Sequence, residues 1–150
     1  MSTLLIVHHS PTPLLQELLA AVLDGANDPA IEGVEVKVLD ALEATSADLL
    51  AADAILLGTT ANFGYISGAL KHFFDTTFRD AEEVKKGMPF SYWIRGGMDT
   101  TGAENAMKAI TTGYGWELAA EPVVFVGELS QERREALVNL GGTLAAVLMG

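Results

Sequence analysis

No cysteine occurs among the 150 residues, which excludes disulfides, thiolate metal sites and cysteine nucleophiles. Basic residues are scarce too: 9 Lys and Arg stand against 20 Asp and Glu, for a formal net charge of −11 at pH 7. Such a balance repels nucleic acid and anionic membrane surfaces. It suits a soluble protein, or one that docks onto a basic partner. There is no low-complexity tract and no charge block long enough for a disordered tail. Long hydrophobic runs are missing as well. Met1 to Val7 lacks a basic stretch and its apolar part is too short for a signal peptide. Ala136 to Met149 is apolar but too short to span a bilayer, and Gly141-Gly142 interrupts it. The expectation is a single cytoplasmic globular domain over residues 1–150, monomeric or oligomeric, with no membrane and no nucleic-acid partner.

What is present alternates between two periodicities. Leu4 to His8 is a short continuous apolar run, as expected of a central strand covered on both faces. Leu14, Leu15, Leu18, Leu19, Val22 and Leu23 then recur at helical spacing, until Asp24-Gly25 and Asn27-Asp28-Pro29 break the pattern. Val34, Val36 and Val38 alternate with Glu35 and Lys37, the pattern of a half-exposed edge strand. A short helix is expected over Asp48–Ala52, a buried third strand over Ala54–Leu57, and a helix opening at Ser67 with Leu70, Phe73, Phe74 and Phe78 on its apolar face. Phe90–Ile94 reads as a fourth strand, Ala103–Trp116 as a helix and Val123–Val126 as a fifth strand. The last helix starts at Ser130, whose hydroxyl can cap it. Five strands alternating with helices predict an α/β, three-layer, doubly wound parallel sheet of order 2-1-3-4-5.

Several chemistries drop out. Walker and dinucleotide glycine patterns are missing, which disfavours ATP and Rossmann-bound NAD. No Gly-x-Ser-x-Gly elbow points to an α/β-hydrolase. Receiver domains share this strand order but need acidic residues where His8-His9 and Gly58-Thr59 stand. No metal site is expected, since His8 and His9 are adjacent and would point to opposite sides of a strand.

In such a sheet, ligands bind beyond the carboxyl ends of the strands, near the switch between strands 1 and 3. Three loops lie there. The first holds His9, Ser10, Thr12, Leu14 and Leu15. Thr12 can cap the helix and Pro13 fits its first position. The amides of Leu14 and Leu15, with the hydroxyls of Ser10 and Thr12, would form a neutral phosphate cradle suited to a monophosphate such as FMN. The same residues also read as an ordinary capped helix. The second loop holds Thr60, Ala61, Asn62, Phe63, Gly64 and Tyr65. A flat apolar ring needs an aromatic wall and directed amides, and Phe63 or Tyr65 can supply the wall. Phe63 as a core plug and Gly64 as a turn glycine is the alternative. The third loop carries Gly96, Gly97, Asp99 and Thr100, where paired glycines allow close backbone approach. Asp99 either accepts from a ring N–H or caps the helix that follows.

Thr59-Thr60-Ala61-Asn62-Phe63-Gly64, with Ser67-Gly68-Ala69-Leu70-Lys71 after it, resembles the flavin-ring loop of flavodoxin-fold quinone reductases. Ser10 and Thr12 match the first hydroxyls of the flavodoxin phosphate loop, while Pro13 and Leu15 depart from it. The resemblance implies FMN as cofactor, with the second loop bordering the isoalloxazine ring. The third loop, with Arg95 or its amides, would meet the pyrimidine edge. It implies an oxidoreductase passing electrons from NAD(P)H through FMN to a quinone or similar acceptor, often as an oligomer. A flavodoxin-type carrier serving a redox protein partner, and a flavin-free binding domain of the same fold, are the alternatives.

Overall fold

The computed structural model describes residues Met1–Gly150. Its strands are β1 (Ser2–His8), β2 (Val34–Asp40), β3 (Ala54–Asn62), β4 (Tyr65–Ile66), β5 (Pro89–Gly96), β6 (Glu117–Leu118) and β7 (Val123–Val126). Its helices are α1 (Pro13–Ala26), α2 (Ser46–Leu50), α3 (Gly68–Ala81), α4 (Thr101–Tyr114) and α5 (Gln131–Ala146). The main sheet runs β2-β1-β3-β5, with β6 and β7 both paired to the far side of β5. Counting β6 and β7 as one interrupted strand, this is the expected 2-1-3-4-5 order, parallel except for β4.

Strand periodicity divides the interior into two cores. Leu5, Val7, Ile55, Leu57, Tyr92 and Ile94 face one side, where Phe73, Phe74, Met107 and Tyr114 of α3 and α4 cover them. Leu4, Ile6, Leu56, Trp93 and Phe125 face the other side, under Leu18 and Val22 of α1 and Leu137, Leu140 and Leu144 of α5. Successive residues of each central strand therefore bury themselves in opposite layers. The result is the three-layer, doubly wound arrangement. No helix is long and apolar enough to cross a membrane.

The structure departs from the sequence reading in several places. β3 does not end at Leu57 but continues to Asn62, because Thr59, Thr60 and Ala61 still pair with Ile94, Arg95 and Gly96 of β5. α2 starts earlier than expected, since Thr45 and Asp48 form a reciprocal capping box. α4 covers Thr101–Tyr114, which leaves Trp116 outside it. The last strand is broken in two: Leu118 pairs with Phe90 and Val123 with Trp93, so the edge carries extra residues between the two pairs. Ser91 Oγ donates to the Ala120 carbonyl at 2.8 Å and occupies that break.

α5 runs through Gly141-Gly142 to Ala146. The glycines serve packing instead. A Cβ on Gly141 would meet the Val22 carbonyl oxygen at 2.0 Å, and one on Gly25 would meet the Val138 carbonyl oxygen at 1.8 Å. α1 and α5 thus cross with backbones in contact, over the same face of the sheet.

Candidate functional site

β1, β3 and β5 are neighbouring parallel strands, so the segments after His8, within Asn62–Tyr65 and after Gly96 reach one edge of the sheet. All three sequence-predicted loops are brought together there. α1 and α4 begin at the same edge and direct the positive ends of their dipoles into it.

In the first segment, Thr12 adopts an extended conformation and its hydroxyl accepts from the Leu15 amide at 3.4 Å. That amide is therefore already engaged, contrary to the expectation that it is free. Leu14 keeps an N–H without a protein partner, as the start of a helix dictates. The His9 amide donates to the Gly58 carbonyl at 3.0 Å, which carries the β1–β3 ladder one residue further. His8 Nδ1 lies 2.9 Å from Ser10 Oγ. Burial holds the His8 imidazole below its ordinary value, with the Asp40 carboxylate pulling the other way. His9 Nδ1 is buried and has no hydrogen-bond partner, an orphaned donor or acceptor beside the loop.

The second segment is a hairpin, not an open loop. Ala61 pairs with Ile66 and Asn62 with Tyr65, and the two turn residues Phe63 and Gly64 have φ of 49° and 74°. Two successive positive φ values make a type I′ turn, whose twist matches the flanking strands. Glycine adopts this conformation freely, but for a phenylalanine it is strained. The Phe63 ring is fully exposed, so it is no core plug, while Gly64 is indeed a turn glycine. Thr60 Oγ1 donates to Asn62 Oδ1 at 2.8 Å, and the Ser67 amide donates to Thr59 Oγ1 at 3.0 Å, fixing both flanks. The hairpin rests on the helix beyond the third loop: a Cβ on Gly102 would meet the Gly64 carbonyl oxygen at 1.9 Å.

In the third segment, Asp99 Oδ1 accepts from the Thr101 amide at 3.0 Å and from its hydroxyl at 2.7 Å. The Thr101 hydroxyl and amide hold this carboxyl below the usual carboxylate range. Asp99 thus holds the first residue of α4 from one position before the N-cap Thr100, which makes no side-chain cap bond of its own. Thr100 donates its hydroxyl to Glu104 Oε2 at 3.1 Å. Gly96 and Gly97 precede an exposed Met98.

Arg95 corrects the sequence reading. It lies in β5 rather than in the loop, and its Nε donates to the Gly127 carbonyl at 2.8 Å. The hairpin itself was missed, because Tyr65-Ile66 is too short to leave a period and Phe63 hides the turn behind an unfavourable residue. A concavity of about 600 Å³ lies elsewhere, between β7 and α5.

The donor set at the three-loop edge fits a flat monophosphate ligand. Hydroxyls of Ser10 and Thr12 and the free Leu14 amide are neutral phosphate donors at a helix start. Phe63, Tyr65 and Met98 offer exposed apolar surface to a ring. Comparison with known proteins agrees. The profile of the family described as "NADPH-dependent FMN reductase" matches residues 8–129. A flavodoxin of Aquifex aeolicus (strain VF5) is 27% identical over 172 aligned positions, covering 97% of this chain and 86% of that protein. Solved structures include the flavodoxin, WrbA-like protein from Agrobacterium tumefaciens, at 20% identity and a TM-score of 0.77, over 98% of this chain and 97% of that one. A Streptococcus pneumonia flavodoxin superposes with a TM-score of 0.80 at 21% identity, over 98% of this chain and 100% of its own.

Proposed function

The chain belongs to the NADPH-dependent FMN reductase family, and from that premise we propose that it draws electrons from NADPH or NADH through FMN and delivers them to a small quinone-like acceptor. It is an FMN-binding oxidoreductase of the flavodoxin-like superfamily. The flavin, when bound, supplies the hydride and electron chemistry at its ring. The protein binds, orients and shields.

In this reading Ser10 and Thr12 hydroxyls and the Leu14 amide hold the phosphate, with the α1 dipole behind them. Leu15 contributes no donor of its own, since its amide is bound to Thr12. His9 and its unpartnered Nδ1 border the same cradle. Thr60, Ala61, Asn62 and the turn amides of Phe63 and Gly64 flank the ring, and Phe63 or Tyr65 walls it. Gly96, Gly97 and Thr100 line its polar edge with backbone groups. Asp99 acts indirectly, because its carboxylate is committed to Thr101 and so holds the loop in shape. No side chain is assigned as a general acid.

The observation that carries the reading is Phe63: a bulky residue held at φ 49° with its ring in solvent. Strain of about 1–3 kcal/mol at such a position persists where a site requires it. Mixing the purified protein with FMN, gel-filtering it and adding NAD(P)H without oxygen tests the proposal. Retained yellow colour that bleaches within seconds is expected. Colour that persists until dithionite is added would assign the chain to electron carriage instead. That second reading draws on the net charge of −11 and on the Aquifex aeolicus flavodoxin, with the acidic surface as the docking face for a redox protein.

A further inference from the structure

The three neutral donors of the cradle differ in how firmly their hydrogens are available. The Leu14 N–H has no protein partner and no alternative role. The Thr12 oxygen accepts from the Leu15 amide at 3.4 Å, which leaves its O–H to be donated. Ser10 is different. Its Oγ lies 2.9 Å from Nδ1 of His8, and one hydrogen serves that contact. With the hydrogen on Nδ1, His8 donates and the Ser10 O–H is left for a ligand. With Nδ1 bare, Ser10 donates to the ring and keeps only lone pairs.

His8 is the last residue of β1, in register with Asp40 of β2 and Gly58 of β3. Strand alternation puts its side chain on the face of Leu4 and Ile6, the face that α1 covers. The ring is half-buried, and burial holds it below the ordinary histidine value against the pull of Asp40. At neutral pH the imidazole is therefore uncharged and carries a single N–H. The titratable groups that act on it are Asp40 and His9, while β3 opposes it with a glycine. Asp40 Oδ1 is engaged by the Leu42 amide at 2.8 Å, and the second ring nitrogen of His8 makes no hydrogen bond with the protein. No partner locks the tautomer, so a ligand can decide it. Ser10 itself is held from the helix side, its carbonyl accepting from Gln16 Nε2 at 3.4 Å.

We propose that His8 is a positioning residue of the phosphate site: with the proton on Nδ1 it donates to Ser10 Oγ and so turns the serine hydroxyl into a donor to the FMN phosphate. The inference rests on the FMN-binding reading above. An ionised phosphate offers acceptor oxygens, so it is complementary to this arrangement and opposed by the other. Changing tautomer releases a proton from Nε2 to solvent while Nδ1 takes one up, and the net charge of the ring is unchanged. Riboflavin carries a hydroxyl in place of the phosphate. That hydroxyl can donate as well as accept, so it meets either state of Ser10. His8 thereby favours the phosphorylated flavin without any cation in the cradle.

Dissociation constants for FMN and for riboflavin, read from quenching of flavin fluorescence, test this in wild type, His8→Phe, Ser10→Ala and the double variant. Each single substitution is expected to weaken FMN by about tenfold, as for one hydrogen bond to a charged group. The double variant should weaken it no further, because both changes remove the same donor. Riboflavin affinity should stay unchanged throughout. Added losses in the double variant, equal loss for riboflavin, or unaltered FMN affinity in His8→Phe overturns the proposal. His8→Asn places an amide donor where Nδ1 stood and should restore most of the FMN affinity; failure to do so also overturns it. Wild type alone supplies a second readout, independent of whether the variants fold. NMR of its histidine ring nitrogens, without and with FMN, should find the proton on Nδ1 of His8 in the complex, and a bare Nδ1 there overturns the proposal. Wild type that binds neither flavin overturns the FMN reading and this inference together. Wild type that binds FMN no more tightly than riboflavin overturns this inference alone.

Discussion

Gly102 touches Gly64 backbone to backbone: a Cβ on the first would sit 1.9 Å from the carbonyl oxygen of the second. The first turn of α4 is thereby the seat on which the Asn62–Tyr65 hairpin rests. Two loops that are far apart in sequence set each other's position through one close approach that only glycine allows.

Gly102→Ala should displace the hairpin while sparing the two cores. FMN affinity is expected to fall by about tenfold, since displacements near 1 Å are costly at a positioned site. The thermal midpoint should drop by only a few degrees. Fluorescence titration with FMN checks this, and unchanged affinity would show that the hairpin does not frame the ring.

Asn62→Asp combined with Gly64→Val should abolish flavin binding and leave the fold intact. Valine at φ 74° is strained by roughly 1–3 kcal/mol, and the added carboxylate opposes the electron-rich reduced ring. Circular dichroism is expected to match wild type, and the gel-filtered protein should be colourless. A yellow variant would remove the ring from its place beside the hairpin.

Tyr114 anchors the α3–α4 layer, its hydroxyl donating to the Phe74 carbonyl at 2.7 Å and lying 2.8 Å from Thr77 Oγ1. Burial pushes its phenol up to about 12, above the ordinary value of ~10. The folded state therefore keeps a proton that the unfolded chain releases. Stability from this group is full below pH ~10 and declines as pH rises toward about 12. Tyr114→Phe should flatten that decline and cost about 1–3 kcal/mol at neutral pH, by removing the buried hydrogen bonds that its hydroxyl makes with the Phe74 carbonyl and Thr77. Urea denaturation at pH 7 and at pH 11 measures both effects.

Gly141→Val should open the α1–α5 crossing, because its Cβ alone would meet the Val22 carbonyl oxygen at 2.0 Å. Overpacking of this kind costs typically 1–3 kcal/mol, and more where backbone must move. The loss should appear in thermal melts, with FMN selectivity over riboflavin retained in whatever fraction stays folded.

The fold was legible in the sequence because the central strands are short apolar runs, and three of the four long helices open at a capping Thr12, Ser67 or Ser130. The site was legible as three regions. It was less so as geometry. Thr59 to Asn62 looks like a polar loop, yet pairing with β5 draws it into the sheet, a tertiary effect that composition does not carry. Phe63 at a positive φ contradicts local preference, so no turn rule finds it. The role of Gly141 was equally hidden, since a glycine inside a helix looks the same whether it breaks the helix or lets another helix approach. Arg95 lies in β5 and not in the loop after it, because pairing with β7 carries the strand past the apolar run that marks it in the sequence.

The break between β6 and β7 has a consequence for how molecules meet one another. An unbroken outer strand would present a continuous row of amides and carbonyls, a template for another chain. Here that row is cut between Leu118 and Val123, in a stretch containing Glu121 and Pro122. At the opposite rim, β2 alternates Glu35 and Lys37 along its exposed side. Each rim offers only a few residues of pairing before charge, proline or a gap intervenes. When the sheet loosens transiently at high concentration, closing back on itself is favoured over growth into fibrils.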